Sequence, residues 1–451
     1  MSINKILIAN RGEIACRIMR TCKALGIATV AVYSDADAEA MHVAMADEAI
    51  PIGLAPAAKS YLVQENLLRA AMDSGADAVH PGYGFLAENP RFAEAVEAAG
   101  LAWIGPRAKT IEDMGDKERA RDIAKASHVT ILPGSPRFPM GDLSGVERAA
   151  EVVGYPLLVK AAAGGGGIGM RMVENAETLR TQVESTQTQA QRSFGDGTVY
   201  LETFIPNARH IEVQVFGFGD GDGVHLYDRD CSVQRRFQKI IEEAPAASIP
   251  EGERRAMRDA ALELVRHERY RGAGTVEFIY DCDTDHFYFL EMNTRIQVEH
   301  AVTEMITGID LVAWQIALAA GTFEPPAQSD IGTDGNAIEC RIYAERPEKN
   351  FLPSPGQITR VKLPQISDTL RIDTGIREGD KITPYYDPMI SKLITMGVDR
   401  QAAIEAMSAA LDEFEIEGPS TNVDFLRSVF RDPNFRAAPP TTGYIAAGTY
   451  K

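Results

Sequence analysis

The sequence has few cysteines and no excess of basic residues. Its cysteines are odd in number and form no CxxC pair: Cys16, Cys22, Cys231, Cys282 and Cys340. This scarcity predicts a reduced protein without a structural zinc site. Lysine and arginine together number 46, against 64 aspartates and glutamates, which gives a net charge of −18. That balance argues against binding to nucleic acid or to an anionic membrane surface, so any phosphate site must be local.

Long hydrophobic runs are absent as well. No segment approaches the ~20 apolar residues of a membrane-spanning helix, and the N-terminus lacks the hydrophobic region of a signal peptide. We therefore expect a cytoplasmic protein that makes no membrane contact. Charged residues make up 24% of the chain and hydrophobic residues 45%. A globular chain of 451 residues is too long for one ordinary core, so two or three domains are predicted.

Residues 4–105 alternate between predicted strands and helices. The predicted strands are residues 5–9, 29–33, 78–80 and 103–105, and the helices are residues 13–25 and 64–74. This repetition predicts a parallel sheet covered by helices. The first turn, residues 10–13, lacks the GxGxxG fingerprint, so a Rossmann-like shape does not imply a dinucleotide here. Residues 80–89 follow a strand at the edge where parallel sheets bind ligands, although a simple turn is the alternative.

A polar turn joins two strands rich in aromatic and β-branched residues, at residues 275–280 and 286–291. The pattern predicts a β-hairpin. If the strands pair symmetrically about Thr284 without a bulge, Glu277 lies directly opposite Glu291. Two facing carboxylates destabilise a sheet unless a cation lies between them, and hard divalent cations such as Mg²⁺ prefer oxygen ligands. The register therefore predicts a metal site.

Polar residues continue at every second position beyond this hairpin. If residues 291–299 stay extended, one face carries five polar side chains: Glu291, Asn293, Arg295, Gln297 and Glu299. A solvated strand face is the alternative explanation. We favour a functional face, because the order runs from metal ligands through an anion site to a base.

A glycine run at residues 164–167 follows a predicted strand that ends in Lys160. Without Cβ atoms, the N–H groups of such a run can approach phosphate oxygens, and Lys160 adds a positive charge. A flexible hairpin tip is the alternative. The run is not a Walker A loop, because no Gly-Lys-Ser/Thr sequence follows it. A different nucleotide-binding fold is therefore expected.

The function of two further basic segments depends on what they fold against. Lys117 begins a predicted helix, where an isolated lysine is normally solvated. Arg235, Arg236 and Lys239 concentrate positive charge in an acidic chain, and a solvated cluster is the default explanation. If this segment folds beside the carboxylates, Lys239 can hold a small anion or neutralise a transferring phosphoryl group.

The C-terminal third fits a smaller domain. Strands are predicted at residues 337–343 and 358–362, and a helix at residues 401–414. Four apolar residues follow each other at helical spacing in that helix: Ile404, Met407, Leu411 and Phe414. We interpret this stripe as core rather than as a groove for a partner.

Several of these motifs together resemble the biotin carboxylase component of biotin-dependent carboxylases, which is an ATP-grasp enzyme. They are Lys117, Lys160 with its glycine run, RDCSVQRRFQK at residues 229–239, the Glu277, Glu291 and Asn293 trio, EMNTRIQVEH at residues 291–300, and residues 339–341. The resemblance extends from residue 8 to residue 393. It implies three parts: a Rossmann-like N-terminal domain (1–114), an ATP-grasp domain (115–330) with a mobile glycine-rich lid (132–203), and a C-terminal domain (331–451).

The resemblance also implies the reaction. ATP and bicarbonate give carboxyphosphate and ADP with Mg²⁺ or Mn²⁺, and the carboxylate then passes to N1 of a biotin held on a carrier protein. This is the first half-reaction of an acyl-CoA carboxylase. The expected acceptor is acetyl-CoA, which would place the enzyme in fatty acid biosynthesis.

Roles carried over from the family fall on particular positions. Nucleotide contacts are implied for Lys117, Lys160, Gly165, Gly166, Gly167, Glu202 and His210, and Gln234 is implied to bind a cofactor. The metal site is implied to be Glu277, Glu291 and Asn293, and the bicarbonate site to be Lys239, Arg295, Gln297 and Val298. Glu299 is implied to be the base that deprotonates bicarbonate, and Arg341 the residue that stabilises the biotin enolate.

Two positions depart from the family pattern. Ile168 replaces a basic residue that often follows the glycine run, and Phe237 replaces a histidine or asparagine in the basic segment. Neither position carries an implied metal, base or enolate role, so the implied reaction is unchanged. Both departures lie in segments implied to contact the nucleotide or bicarbonate.

The expected partners are a biotin carboxyl carrier protein, a carboxyltransferase subunit and a second copy of the chain in a homodimer. The chain lacks the Met-Lys-Met sequence of carrier domains, so carrier and carboxyltransferase are expected on separate chains. Two alternatives stay open: another ATP-grasp ligase that activates bicarbonate or a carboxylate, and an ATP-binding regulatory subunit without turnover.

Overall fold

Five parallel strands form the first sheet of a computed structural model that describes residues 2–162, 169–235 and 238–448. They are β1 (Lys5–Ile8), β2 (Ala28–Ser34), β3 (Glu48–Gly53), β4 (Ala78–His80) and β5 (Ala102–Trp103), in the order β3-β2-β1-β4-β5. The nearby helices are α1 (Gly12–Ala24), α2 (Met41–Met45), α3 (Gln64–Asp73), α4 (Pro90–Ala98) and α5 (Ala108–Gly115). The predicted parallel sheet with helices is confirmed.

Strand β3 is the element of this sheet that the sequence pattern misses. It contains Pro51 and lies at the edge of the sheet, where it pairs with β2. An edge strand tolerates proline because one of its sides has no ladder of hydrogen bonds to complete. The central strands β1 and β4 are recognisable because Ile6, Leu7 and Val79 are at most 1% exposed and form continuous apolar runs.

A small antiparallel sheet with its own core forms the region predicted as the lid. The sheet has the order β7-β6-β8, from β6 (Leu157–Ala161), β7 (Met170–Val173) and β8 (Val199–Thr203). The helices of this part are α7 (Val146–Val153) and α8 (Ala176–Phe194), whereas α6 (Lys117–Ala126) precedes it and packs into the core beside the strands Arg271–Asp281 and His286–Asn293. Val159, Leu179 and Leu201 are fully buried in its core. The glycines at 164–167 and Ile168 lie outside the described residues, and lid movement stays a prediction.

Most of the remaining chain is organised around an eight-stranded sheet. The strands after β8 are β9 (Ala208–Phe218), β10 (Gly223–Arg235), β11 (Gln238–Ala244), β12 (Arg271–Asp281), β13 (His286–Asn293), β14 (Asn336–Tyr343), β15 (Glu345–Arg346), β16 (Leu352–Pro353), β17 (Gly356–Gln357), β18 (Arg360–Lys362), β19 (Leu370–Thr374), β20 (Lys381–Ile382), β21 (Met389–Gly397) and β22 (Glu415–Glu417). The large sheet is antiparallel and has the order β13-β12-β9-β10-β11-β14-β21-β19.

Helices pack against this sheet and against one another. They are α9 (Glu251–Glu268), α10 (His300–Thr307), α11 (Leu311–Ala320), α12 (Arg400–Glu413), α13 (Val423–Arg431), α14 (Pro433–Ala437) and α15 (Tyr444–Ala447). The predicted apolar stripe on α12 is confirmed as core, because Ile404, Met407, Leu411 and Phe414 are at most 1% exposed. Burying each such side chain contributes about 1.5–3 kcal/mol to folding.

The large sheet is continuous across the predicted domain boundary at residue 330. Strand β11, which precedes that boundary, pairs in register with β14, which follows it. Side chains from both parts can therefore meet on one face of one sheet. The domain limits themselves stay a prediction.

Among the described residues, no single helix is long and apolar enough to cross a membrane. Helices α10 and α11 reach that length and composition only as a pair, and they meet at a bend of 92°.

Candidate active site

A cavity of about 700 Å³ lies between the lid sheet and the large sheet and also touches the N-terminal part. It is lined by every predicted site residue that the structure describes: Lys117, Lys160, Glu202, His210, Gln234, Lys239, Glu277, Glu291, Asn293, Arg295, Gln297, Val298, Glu299 and Arg341. Gly165, Gly166 and Gly167 lie outside the described residues, as does Phe237. Residues spread over more than 220 positions of sequence, from Lys117 to Arg341, are thus brought to one cavity.

The two predicted metal carboxylates face each other across neighbouring strands. Glu277 on β12 pairs directly with Glu291 on β13. The prediction of opposed carboxylates is confirmed, but its premise of a bulge-free hairpin is wrong. Phe278 pairs with Phe289, so Leu290 is an extra residue that restores the Glu277 pairing. Such a bulge redirects side chains, and both Leu290 and Glu291 line the cavity.

These two carboxylates have opposite electrostatic surroundings. Although burial opposes its ionisation, Lys239 and His210 hold the pKa of Glu277 well below its ordinary value. Burial and the charge of Glu277 raise the pKa of Glu291 above its ordinary value. Glu291 is exposed to the cavity, so a cation can reach it. The charge that would relieve the repulsion between the two carboxylates must come from the cavity side.

Charged residues also pair across the next two strands of the large sheet, β9 and β10. Glu212 on β9 pairs with Glu277 on one side and with Arg229 on β10 on the other. Arg229 is fully buried and its Nη2 donates to Glu212 Oε2 at 3.0 Å. Sequence reasoning assigns no role to Glu212. The available signal is the alternation of His210, Glu212 and Gln214 in an otherwise apolar strand.

Lys239 links three carboxylates at the centre of the site. Its Nζ donates to Glu277 Oε1 at 2.9 Å, to Glu299 Oε1 at 2.8 Å, and to Glu212. Burial opposes a charged ammonium, but these three carboxylates hold the pKa of Lys239 well above its ordinary value. Lys239 is therefore a permanent cation beside the predicted base.

His210 lies beside two of these carboxylates, Glu212 and Glu277, and its implied nucleotide contact stays a prediction. Its Nε2 is 2.8 Å from Glu277 Oε2, and its Nδ1 is 2.8 Å from Gln234 Nε2. Burial opposes the imidazolium, yet the charge of Glu277 raises the pKa of His210 to about 9. His210 and Lys239 thus share the neutralisation of Glu277.

Glu299 is held between two cations. Arg341 Nη2 donates to Glu299 Oε2 at 2.8 Å, while Lys239 holds the other oxygen. Arg341 Nε donates to Glu242 Oε1 at 2.6 Å. Although burial disfavours the anion, Lys239 and Arg341 lower the pKa of Glu299. The predicted base is therefore ionised at neutral pH, and Glu242 is a partner of Arg341 that sequence reasoning leaves without a role.

The extended strand predicted over residues 291–299 is wrong beyond Asn293. Strand β13 ends there, residues 294–299 form an irregular segment, and α10 begins at His300. The polar residues nevertheless meet, because the segment is fixed by side-chain bonds instead of by a strand ladder. Arg295 provides three of them, to Glu88 at 2.8 Å, Asn293 at 2.8 Å and Gln297 at 3.0 Å. Glu88 comes from the segment at residues 80–89.

The opposite end of the cavity combines basic and apolar groups. Lys117 begins α6, and Lys160 on β6 bonds to Glu202 on β8. Arg121 Nη1 donates to the other oxygen of Glu202 at 2.8 Å, a contact that sequence reasoning misses. Burial lowers the pKa of Lys117, which the charge of Glu291 only partly offsets. Apolar side chains complete this end: Leu132, Leu158, Ile205, Ile279 and Leu290.

The residues present fit a divalent cation. Glu277, Glu291 and Asn293 offer oxygen ligands on adjacent paired strands, and Mg²⁺ and Mn²⁺ prefer such ligands. Burial and the charge of Glu277 raise the pKa of Glu291 more than Lys117 and Lys239 lower it, so a further cation would stabilise the ionised carboxylate. The fit agrees with the predicted metal site, whose ligand roles stay a prediction.

The fold and this site together define an ATP-grasp protein. Residues 2–111 match the N-terminal domain of biotin carboxylase, and residues 339–447 match its C-terminal domain. Residues 116–324 match the ATP-binding domain of the carbamoyl-phosphate synthase L chain. The fold class expected from the sequence is confirmed.

Relatives that match almost all of this chain show which kind of ATP-grasp protein it resembles. The biotin carboxylase of Halalkalibacterium halodurans is 48% identical over 441 residues, which cover 98% of this chain and 97% of that protein. The mitochondrial methylcrotonoyl-CoA carboxylase subunit alpha of Dictyostelium discoideum is 49% identical over 98% of this chain. This chain spans about three fifths of the length of such carboxylase subunits.

A solved structure extends the similarity to the fold. The biotin carboxylase domain dimer of Hydrogenobacter thermophilus 2-oxoglutarate carboxylase, in complex with MgADP, ADP and bicarbonate, has a TM-score of 0.95 and 44% identity. The match covers 100% of this chain and 99% of that one. The chain belongs to the biotin carboxylase family, whose members are ATP-dependent ligases that use magnesium, bicarbonate and biotin.

Proposed function

We propose that this chain carboxylates biotin on a carrier protein, using ATP and bicarbonate, through a carboxyphosphate intermediate. The observation that carries this proposal is the placement of Glu299 between Lys239 and Arg341, 2.8 Å from each. The ionised carboxylate can receive a proton, and the two cations beside it attract and orient the anionic substrate that carries the proton.

Bicarbonate activation follows from this geometry. Glu299 accepts the bicarbonate proton, and the resulting oxyanion attacks the γ-phosphorus of ATP while the bond to the ADP oxygen breaks. Lys239 and Arg295 offset the negative charge that accumulates between the reacting anions. The reaction needs positioning and charge neutralisation more than covalent catalysis by the protein.

Nucleotide binding uses the opposite end of the cavity. Lys117 and Lys160 are placed to contact the phosphates, and the apolar side chains around Ile205 and Leu290 suit a flat base. Glu202 fixes Lys160 and is itself held by Arg121. A divalent cation held by Glu277, Glu291 and Asn293 would neutralise phosphate charge when bound.

Carboxyl transfer requires the anionic form of biotin: the bond between the carboxyl group and phosphate breaks, the released phosphate takes the proton from N1, and N1 then forms the bond to the carboxyl carbon. Arg341 presents its guanidinium to the cavity, where it can stabilise the enolate oxygen as negative charge develops. Its bonds to Glu242 and Glu299 hold the guanidinium plane in place. The proposed base, Glu299, and the proposed enolate stabiliser, Arg341, are therefore hydrogen-bonded to each other.

The assembly around this activity is also part of the proposal. A biotin carrier protein and a carboxyltransferase complete an acyl-CoA carboxylase, and two copies of the chain form a homodimer. The homodimer is supported by the Hydrogenobacter structure, in which the similar domain is a dimer. Acetyl-CoA as final acceptor stays a prediction, because the Dictyostelium relative is named for methylcrotonoyl-CoA.

ADP release by the purified chain tests the proposal. The assay contains Mg²⁺, ATP and bicarbonate, with and without free biotin, for the natural chain and for Glu299→Gln. Biotin-stimulated release that Glu299→Gln loses is the expected result. Release without any effect of biotin would instead favour another ATP-grasp ligase, and tight ATP binding without release would favour a regulatory subunit.

A further inference from the structure

Lys392 on β21 is a fully buried cation outside the lining of the cavity. Three carboxylates surround its Nζ: Glu339 at 3.5 Å, Glu13 at 3.8 Å and Asp373 at 3.9 Å. These distances are at or beyond the limit of a hydrogen bond. The hydrogen bond that the ammonium does donate goes to the backbone carbonyl of Val298, a residue of the cavity wall.

The register of the large sheet places Lys392 beside Arg341. The two residues are direct partners across β14 and β21, so their side chains lie on the same face. Arg341 donates to the Glu299 side chain at 2.8 Å, and Lys392 donates to the Val298 carbonyl. Two paired cations therefore hold two consecutive residues of the site.

The segment that carries Val298 and Glu299 needs such support. Residues 294–299 belong to no strand or helix, so no ladder of backbone bonds fixes their peptide planes. We propose that Lys392 is a positioning residue for the bicarbonate site: its bond to the Val298 carbonyl fixes the turn from which Val298 and Glu299 face the substrate. This inference rests on the proposed function of the same site.

The three surrounding carboxylates explain how a buried lysine can stay charged and donate to the Val298 carbonyl. Burial disfavours the ammonium, but Glu13, Glu339 and Asp373 raise the pKa of Lys392 above its ordinary value. The carboxylates therefore keep the donor charged, and a charged donor forms a stronger bond to a carbonyl than a neutral one. Glu13 also accepts a hydrogen bond from Tyr83 Oη at 2.6 Å. Because Tyr83 lines the cavity, this bond connects the three carboxylates around Lys392 to the N-terminal side of the cavity.

Lys392→Met tests the inference, because methionine keeps the approximate length of the side chain and removes the donor. We expect the KM for bicarbonate to rise about tenfold or more and kcat to fall, since small displacements of reacting groups cost large factors in rate. The KM for ATP stays within twofold. Lys349→Met is the matched control: it makes the same substitution at an exposed position between β15 and β16, and it keeps both bicarbonate parameters within twofold. A folded Lys392→Met with an unchanged KM for bicarbonate would overturn the inference.

Hydrogen exchange gives a readout that does not depend on turnover. Peptides covering residues 294–300 should exchange faster in Lys392→Met than in Lys349→Met and in the natural chain, and equal exchange would contradict the anchoring. This result stands even if the natural chain shows no bicarbonate-dependent ADP release, which would refute the proposed function instead. If Lys392→Met does not fold, Lys392→Arg keeps the charge but not the compact ammonium. It is expected to raise the KM for bicarbonate at least threefold, and a wild-type KM would again overturn the inference.

Discussion

Glu277 and Glu291 face each other across β12 and β13 because Leu290 is an extra residue in β13. If Leu290 were paired instead of bulged, the register set at the hairpin turn would place it opposite Glu277. The bulge therefore replaces a glutamate–leucine pair with a pair of carboxylates. Burial and the repulsion between the two carboxylates raise the pKa of Glu291, and a divalent cation would relieve that repulsion.

Glu291→Gln should weaken the response to Mg²⁺. The substitution keeps the size of the side chain and removes one of the two opposed charges, so the apparent affinity for free Mg²⁺ should fall about 10- to 100-fold. The measurement is ADP release as a function of free Mg²⁺ at saturating ATP. Asp283→Asn, in the exposed turn of the same hairpin, should leave the curve unchanged. An unchanged curve for Glu291→Gln would contradict the metal assignment.

Glu242 should make stability depend on pH in a defined direction. Burial raises the pKa of this carboxyl to about 7, despite its bond to Arg341. The folded protein then binds a proton that the unfolded chain releases near pH 4.5. The contribution is fully present below that value and is lost as the pH rises towards 7.

The free energy of unfolding of the natural chain minus that of Glu242→Gln isolates this contribution. The difference should fall by about 3 kcal/mol between pH 4.5 and pH 7, from 1.36 kcal/mol per unit of pKa shift. Urea denaturation at a series of pH values measures it. A difference that rises over the same range would refute the assigned direction.

Arg341→Met should separate the two halves of the reaction. Loss of the guanidinium removes the donor for the enolate, so biotin carboxylation should slow by about 10²- to 10³-fold. Bicarbonate-dependent ADP release without biotin should fall less than tenfold, because Lys239 still holds Glu299. Parallel assays of carboxybiotin and ADP check this. Arg346→Met, at an exposed position of β15, is the control, and equal losses in both assays would argue against a specific enolate role.

Lys160→Met should raise the KM for ATP about tenfold through loss of one phosphate contact. The fold should survive, because Glu202 keeps its bond to Arg121 at 2.8 Å. Steady-state kinetics with varied ATP and saturating bicarbonate measure the effect. Lys125→Met, on the exposed side of α6, should behave like the natural chain. If the KM of Lys160→Met for ATP stays within twofold of that of the natural chain, Lys160 is not a phosphate contact.

Much of the fold could be predicted because its signals are local. The strands β1, β4, β12 and β13 are runs of apolar and β-branched residues, and α12 shows a clear helical period. Strand β3 is missed because Pro51 argues against a strand, and only its place at the sheet edge makes the proline tolerable. A single sequence does not show which strand lies at the edge of a sheet.

Part of the site could be predicted from the spacing of polar residues along the strands, but that spacing also gave a wrong result. Period-two spacing correctly brought Glu277 and Glu291 together, although the bulge at Leu290 makes the pairing possible. The same spacing fails after Asn293, where Arg295 fixes an irregular segment. Glu212, Glu242 and Arg121 are missed because their importance comes from partners far away in sequence.

Oxygen transfer from bicarbonate to phosphate tests the central claim most directly. The purified chain turns over Mg²⁺ and ATP with ¹⁸O-labelled bicarbonate in unlabelled water, and the released phosphate is examined by mass spectrometry. If a bicarbonate oxygen attacks the γ-phosphorus, each phosphate formed through carboxyphosphate carries one labelled oxygen. Phosphate whose new oxygen comes only from water would contradict bicarbonate activation by this site.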